Sequence, residues 1–448
     1  MSKTNEKISV LQAAIMGVNI MVGAGILASP GLMAAIAGGA SFLGWSAAAL
    51  ILLPVVYNIS RLPEAIPGHG GIYLYCKKGL GTFGGFAGGW LYFLSYNFAI
   101  TAILSALRGA FLAANPNLWI LRNKVAFFGL SLFSIFILNM LPASVFTRLN
   151  GVLTFVKLIP IFGAMALLPL FIKNGFNFAF NELMQVPKTV PIAIFGFCGF
   201  EYCCNLSHLV KGEPGAAKKS IIGGFLSTVA IYTLFHIGVL SIMNVEGLAK
   251  FKASGYASFV SKSFPIIGNI LTLILPVATV VTFMNTANGV MFLDSLIMHS
   301  LAEDGMLRFE RFFRSINTSG RPWVCTMIAT LLSLVSGLIF ESTQTLAVVC
   351  SLGITSLLVV ATIALLKTEK DKPFGFNKLI AYLGILIGLG LVAFNWISIA
   401  DDNTSRFISM LPMLVGMIMG ILLYNPKPHP TDIDEMASEE ALETELHK

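Results

Sequence analysis

The sequence predicts an all-α polytopic membrane protein of twelve transmembrane helices, and three observations carry that prediction. Of its 448 residues, 56% are hydrophobic and only 11% are charged, a balance far from that of water-soluble domains. Roughly 20 apolar residues are needed to cross a ~30 Å hydrocarbon core. Twelve such runs succeed one another, at 9–37, 41–62, 83–113, 124–142, 150–172, 190–210, 220–243, 266–300, 323–340, 344–366, 378–399 and 407–424. With the N-terminus inside, nineteen Lys and Arg fall in cytoplasmic segments, eight fall outside and two lie within spans. The positive-inside bias therefore places both termini in the cytoplasm. The net charge of +7 follows from this topology, since Lys77-Lys78, Lys218-Lys219 and Arg308 to Arg321 all sit in inner loops. It requires no nucleic-acid partner.

Residues 1–8 form a polar head that runs into the first span without a small-residue cleavage site, so that span is expected to be retained. The first span is also unusual in its interior. MGVNIMVGAGILASP, Met16 to Pro30, sets Gly17, Gly23 and Gly25 at membrane depth with Pro30 close behind. Lipid offers no hydrogen bonds to freed backbone groups, so a helix is broken there only where protein or a watery cavity supplies partners. Such breaks in carriers expose amides to anionic groups and carbonyls to cations, which together suit a zwitterion. The competing reading is a glycine-rich packing face.

After the second span, PGHGGIYLY marks tight turns at Pro67, Gly68, Gly70 and Gly71, followed by interfacial aromatics. The third span gathers Trp90, Tyr92, Ser95, Tyr96 and Asn97, a tract that either lines a pocket or packs as an aromatic cluster. The fifth span buries Lys157 about two turns from its inner end. An ammonium at that depth costs ~3 kcal/mol on insertion scales and marks a functional candidate, with snorkelling as the alternative. The sixth span repeats the theme of the first. Gly196 and Gly199 flank Phe197 and Cys198, and Glu201 follows near mid-span. Interrupted segments at corresponding places in two halves point to an inverted repeat, with helices 1–5 matched by 6–10.

The remaining ionisable residues suggest less. Arg108 snorkels outward, Asp294 at the inner end of the eighth span pairs with a cytoplasmic base, and His236 and His299 pack or lie at an interface. The segment Leu301 to Arg321 reads as an amphipathic, lipid-contacting connector or a solvated loop. The six cysteines lie in spans or on the inner side and are expected as free thiols. Cys204 and His208 share a helical face, but two ligands do not make a metal site. No metal or cofactor is assigned.

Taken in order, the motifs resemble a family. VGAGILASP is similar to the helix 1 signature of the amino acid/polyamine/organocation (APC) transporter superfamily, with Leu27 in place of a phenylalanine. PGHGGIYLY, GFCGFE, GEPGAAKKSIIGG and LAEDGML are similar to its loop after helix 2, its helix 6 break, the segment beyond it and the turn after helix 8. The nearest group is the bacterial basic amino acid and polyamine antiporters. The resemblance implies a five-plus-five inverted repeat with two added helices. It implies that amides around Gly23, Ala24 and Gly25 hold a substrate carboxylate, and that carbonyls near Ile20, Phe195 and Cys198 hold the α-amino group. Glu201 falls on a glutamate linked to proton sensing and gating, and Lys157 on a lysine that replaces a sodium ion. Phe195 and Val290 stand where arginine antiporters carry tryptophan, so an arginine substrate is not secured.

These observations lead to one expectation: a sodium-independent amino acid or amine carrier of the inner membrane, working by exchange or proton coupling and not an enzyme. Its expected divisions are a cytoplasmic head at 1–8, repeats at 9–172 and 190–366, two further helices at 378–424 and an acidic cytoplasmic tail at 425–448. The binding residues are Ile20, Gly23, Ala24, Gly25, Ser95, Tyr96, Phe195, Cys198 and Gly199, with Glu201 and Lys157 for coupling. A small-molecule substrate and membrane lipid are the expected partners, with a homodimer left open. The rivals are a sodium symporter on the same fold, a membrane enzyme using Cys203, Cys204 and His208, and a channel.

Overall fold

The computed structural model describes residues 9–66, 71–172, 178–201, 204, 210–211, 215–340, 342–400 and 402–426. Helices account for most of this length. In chain order they are α1 (Val10–Met21), α2 (Ala24–Ala37), α3 (Leu43–Ala65), α4 (Gly71–Ala114), α5 (Trp119–Arg122), α6 (Lys124–Asn139), α7 (Ala143–Phe171), α8 (Phe180–Gln185) and α9 (Val190–Phe197). There follow α10 (Ala216–Phe251), α11 (Ala257–Ser263), α12 (Pro265–Glu303), α13 (Glu310–Phe313), α14 (Trp323–Ile339), α15 (Thr343–Thr368), α16 (Phe376–Ser398) and α17 (Asn403–Leu423).

The predicted spans fall on these elements, the first on α1 and α2 together and the described part of the sixth on α9, but they are not twelve equal rods. Among the described residues, eight helices are long and apolar enough to cross a bilayer singly, and α1 with α2 makes a ninth span bent by 56°. The shorter α6 and α14 have 16 and 17 residues, and α9 runs for only eight before its break. Polar residues at the span ends set the boundaries. Ser9 and Gln12 form a capping box on α1, while Asn123, Ser342 and Asp402 accept from first-turn amides of α6, α15 and α17.

Several sequence expectations are revised by this geometry. Pro30, close behind the glycines, lies inside α2, which runs on to Ala37. The third span begins earlier than expected, as a helix from Gly71 that turns at Gly81, where φ is +81°. Leu301 to Arg321 is an ordered connector: Met306 and Leu307 are buried, and Arg314 donates to the Ala302 and Glu303 carbonyls that end α12. His236, by contrast, packs as expected, fully buried and bonded to Ser41 and Trp45. The expected turn residues Pro67, Gly68 and Gly70, together with Cys203 and His208, lie outside the described residues.

α4 and α15 form the buried centre of the bundle, and α9 and α2 pack beside them. The outer helices turn large apolar side chains outward, among them Phe155, Leu273 and Leu386. In water such exposure would be costly, whereas a hydrocarbon surround removes that cost. At the ends of the central helices, charged pairs tie the bundle together. Arg61 of α3 donates to Glu369 beyond α15 at 2.5 Å and to the Asn377 carbonyl of α16 at 3.2 Å. The start of α4 also meets the LAEDGML segment, through Tyr73 and Lys77 to Asp304 at 2.9 and 3.2 Å.

Burial pushes the Glu369 carboxyl upward, but hydrogen bonds from Lys372 and Arg61 outweigh it and hold the group below its usual range. A carboxyl held low adds stability above the ordinary carboxylate range, and loses it as pH falls through the folded-state value. Glu369→Gln is therefore expected to lower stability at pH 7 by about 2 kcal/mol. Thermal melts of the purified protein from pH 7 downward should show the gap to wild type closing in acid; a gap independent of pH would refute the latch.

Candidate functional site

The site is built from two interrupted spans. α1 ends at Met21, Val22 and Gly23 leave helical geometry, and α2 restarts at Ala24. α9 ends at Phe197, Cys198 is extended, and Gly199 takes φ of +109°, a left-handed conformation that favours glycine. The two interruptions touch. A Cβ on Gly25 would lie 2.9 Å from the Gly196 Cα, and one on Gly196 would lie 2.6 Å from the Trp45 ring. Glycine is required at both because two backbones and an indole meet without intervening side chains.

Breaking α1 frees its last carbonyls, and most of them find partners. Val18 accepts from the Val22 amide at 2.7 Å, Asn19 from the Lys157 ammonium at 2.8 Å, and Met21 from the Tyr232 hydroxyl at 2.6 Å. The same hydroxyl lies 2.9 Å from the Gly196 carbonyl of α9. On the α2 side the Ala24 amide donates to Thr286 Oγ1 at 3.1 Å, and first-turn amides have no acceptor within their own helix. At α9 the Phe195 carbonyl already receives the Cys198 amide at 3.3 Å.

Glu201, 1% exposed, lies directly beyond the second break. Its Oε1 accepts from the hydroxyls of Tyr96 and, at 3.2 Å, Tyr92, and its Oε2 from the Gly199 amide at 3.1 Å. The carboxylate thus joins α4 to the loop after α9. Ser95 points elsewhere: its hydroxyl donates to the Leu91 carbonyl at 2.6 Å, and it packs on Gly353 of α15. Cys198 bonds through sulfur to the Ile194 carbonyl. Asp294 has no basic partner among the described residues. It accepts from Asn97 at 2.6 Å instead.

Of the residues expected from sequence, the structure brings together Ile20, Gly23, Ala24, Gly25, Phe195, Cys198 and Gly199 around the two breaks. Lys157 flanks the first, and Glu201 with Tyr96 adjoins the second. Tyr232, Thr286 and Trp45 were not anticipated. Their signal was faint: Tyr232 is a polar tip in an apolar run, and Thr286 belongs to the polar tract Asn285-Thr286-Ala287-Asn288 in α12. No group of three or more His, Cys, Asp or Glu side chains suited to a metal occurs among the described residues.

This arrangement of two broken spans occurs in a chain whose residues 8–419 match the profile of the amino acid permease family. The chain belongs to that family. It is accordingly a secondary transporter of amino acids and not an enzyme. This permease is 23% identical to the serine/threonine exchanger of Bacillus subtilis over 341 residues, covering 75% of this chain and 77% of that protein. It is 24% identical to the arginine/agmatine antiporter of Chlamydia felis over 451 residues, 93% of this chain and 90% of the relative. With the glutamate/serine transporter of Bacillus subtilis it shares 22% over 269 residues, 56% of this chain but only 50% of the other's length.

Two substitutions test the geometry of the breaks in the permease. Tyr232→Phe removes the hydroxyl shared by Met21 and Gly196, which should cost roughly 1–3 kcal/mol, read as a lower melting temperature of purified protein; an unchanged melt would show that the bridge contributes nothing. Gly25→Val should abolish uptake by forcing α2 off α9, and wild-type uptake kinetics in that variant would remove the contact from the transport cycle.

Proposed function

We propose that this permease is a sodium-independent exchanger of amino acids or related amines, with its substrate held between the two breaks. The α2 amides around Gly23, Ala24 and Gly25 take the carboxylate. The carbonyls of Ile20 and Cys198 take the α-amino group. Glu201 and Lys157 couple the cycle to charge. The single observation that carries the sodium-independent reading is the Lys157 ammonium on the Asn19 carbonyl at 2.8 Å, because a fixed cation already compensates the carbonyls that a sodium ion would need.

The names of the relatives favour exchange: one is a serine/threonine exchanger and another an arginine/agmatine antiporter. Operation in a bacterial-type inner membrane with both termini cytoplasmic is part of the same proposal, resting on the Lys and Arg distribution. So is the pairing of helices 1–5 with 6–10 as inverted repeats. Substrate shifts the inward and outward populations only through its differential affinity for them.

Uptake of a radiolabelled amino acid panel into proteoliposomes, with and without unlabelled substrate inside, tests the proposal at two pH values. Exchange predicts uptake that requires internal substrate and is unaffected by replacing sodium with choline. Uptake into empty vesicles driven by a proton gradient identifies a proton-coupled permease, and strict sodium dependence refutes the role given to Lys157. Glu201→Gln is expected to flatten the pH profile of transport while the protein remains folded. A profile identical to wild type would exclude the carboxylate from coupling.

A further inference from the structure

We propose that the chain seats one anionic phospholipid in a groove between α14 and α17, with the headgroup phosphate on Arg308 and Arg311 and one acyl chain along the groove. The groove has a volume of about 640 Å³. Both helices pack against α4 and not closely against each other, so α4 forms the floor, through Trp90, Leu94 and Phe98. The Trp90 indole N–H is already taken by the Gly416 carbonyl at 2.9 Å. Apart from that indole, only Asn97 and Ser336 bring polar side chains to the lining. Neither α14 nor α17 belongs to the two breaks, so the groove lies apart from the amino-acid site.

The dimensions select an acyl chain. Along α17 the wall is Leu411, Val415, Met419 and Leu423, spaced four apart on one helical face. At 1.5 Å per residue this stripe is about 18 Å long, and one leaflet of a ~30 Å hydrocarbon core is about 15 Å deep. Leu411, Val415 and Met419 are between 42% and 47% exposed, so the groove opens sideways into the slab. An open apolar trough one leaflet deep is filled by a lipid tail.

The charge at one end selects the headgroup. Leu423 and Phe313 close that end. There the Arg308 amide donates to the Leu423 carbonyl at 2.6 Å and its Nε to the Tyr424 carbonyl at 3.2 Å, while Arg311 stands two residues before Phe313 in α13. Both arginines are exposed, and among the described residues neither pairs with a carboxylate. The neighbouring acids Glu303 and Glu310 face His299 and Arg314 instead, at 3.4 and 3.2 Å. Phe309 and Phe312, 75% and 49% exposed, stand beside the arginines as apolar anchors at the membrane surface. Phe309 does so at φ of +60°, a backbone conformation uncommon for a bulky residue. Guanidinium groups bind phosphate oxygens in pairs, and basic residues next to a span attract anionic lipid. A second copy of the chain fits less well, because a two-fold axis through this face would set Arg308 and Arg311 of both copies against each other.

Native mass spectrometry of the purified full-length protein tests the proposal, with titration by phosphatidylglycerol or by phosphatidylcholine of identical acyl chains. Wild type should take up its first phosphatidylglycerol about tenfold more tightly than its first phosphatidylcholine. Arg308→Gln combined with Arg311→Gln should erase that preference. Met419→Trp, which fills the trough from its exposed side, should weaken the first molecule of either lipid about tenfold. Equal affinities in wild type overturn the proposal. A preference that survives the double substitution places the headgroup elsewhere and also overturns it. Binding untouched by Met419→Trp leaves a charged surface with no seat for a tail, and refutes the groove. A dimer that Met419→Trp dissociates while lipid uptake is unchanged assigns the groove to a second copy instead.

Discussion

The structure depends on the need to satisfy backbone groups freed inside a hydrocarbon slab. Two spans are interrupted, and each interruption is closed by side chains from distant parts of the chain. Lys157 comes from α7, Tyr232 from α10 and Thr286 from α12. Those three helices are thereby fixed around the breaks by chemistry as well as by apolar packing. Tyr232 holds the most demanding position. Its one hydroxyl hydrogen faces two acceptors, the Met21 and Gly196 carbonyls, so the ends of α1 and α9 draw on a common donor. Whatever changes the demand at one end is felt at the other.

Two buried carboxyls of the bundle, Glu201 and Asp294, differ in the same terms. Glu201 receives donors on both oxygens, from α4 and from its own loop. Asp294 receives Asn97 on one oxygen, while the other is buried without a partner. Satisfied buried networks rigidify a core, whereas a buried acceptor left without a donor costs about 1–3 kcal/mol. That contrast is invisible in the sequence, where each is one acid in an apolar span.

The fold class was legible because hydrophobic run length and Lys/Arg distribution act locally along the chain. The breaks were legible too, since glycine at membrane depth has few explanations. Partner identity was not. Lys157 was recognisable as anomalous, but its acceptor, the Asn19 carbonyl, lies 138 positions away and is a backbone group with no signature. Ser95 and Tyr96 are neighbours in one tract, and a helix turns them about 100° apart, so one meets Gly353 and the other Glu201. Tract composition cannot separate them. Gly25 was open to two readings, an amide that holds a carboxylate and a glycine that lets helices approach, and its neighbour is Gly196; both roles require the smallest residue, so sequence alone could not divide them. Asp294 was assigned a basic partner because charges usually pair, and an amide took that place instead.

The backbone contact between Gly25 and Gly196 has a mechanical consequence. Interdigitated side chains lock helices in register, but two glycines present smooth surfaces that resist separation more than rotation. The contact is therefore a fulcrum, with α1 as the arm that extends from it. An arm of 12 residues is about 18 Å long at 1.5 Å per residue, so a tilt of about 10° at the break sweeps its far end through about 3 Å. A displacement of that size opens or closes a passage for a small solute while the fulcrum itself hardly moves.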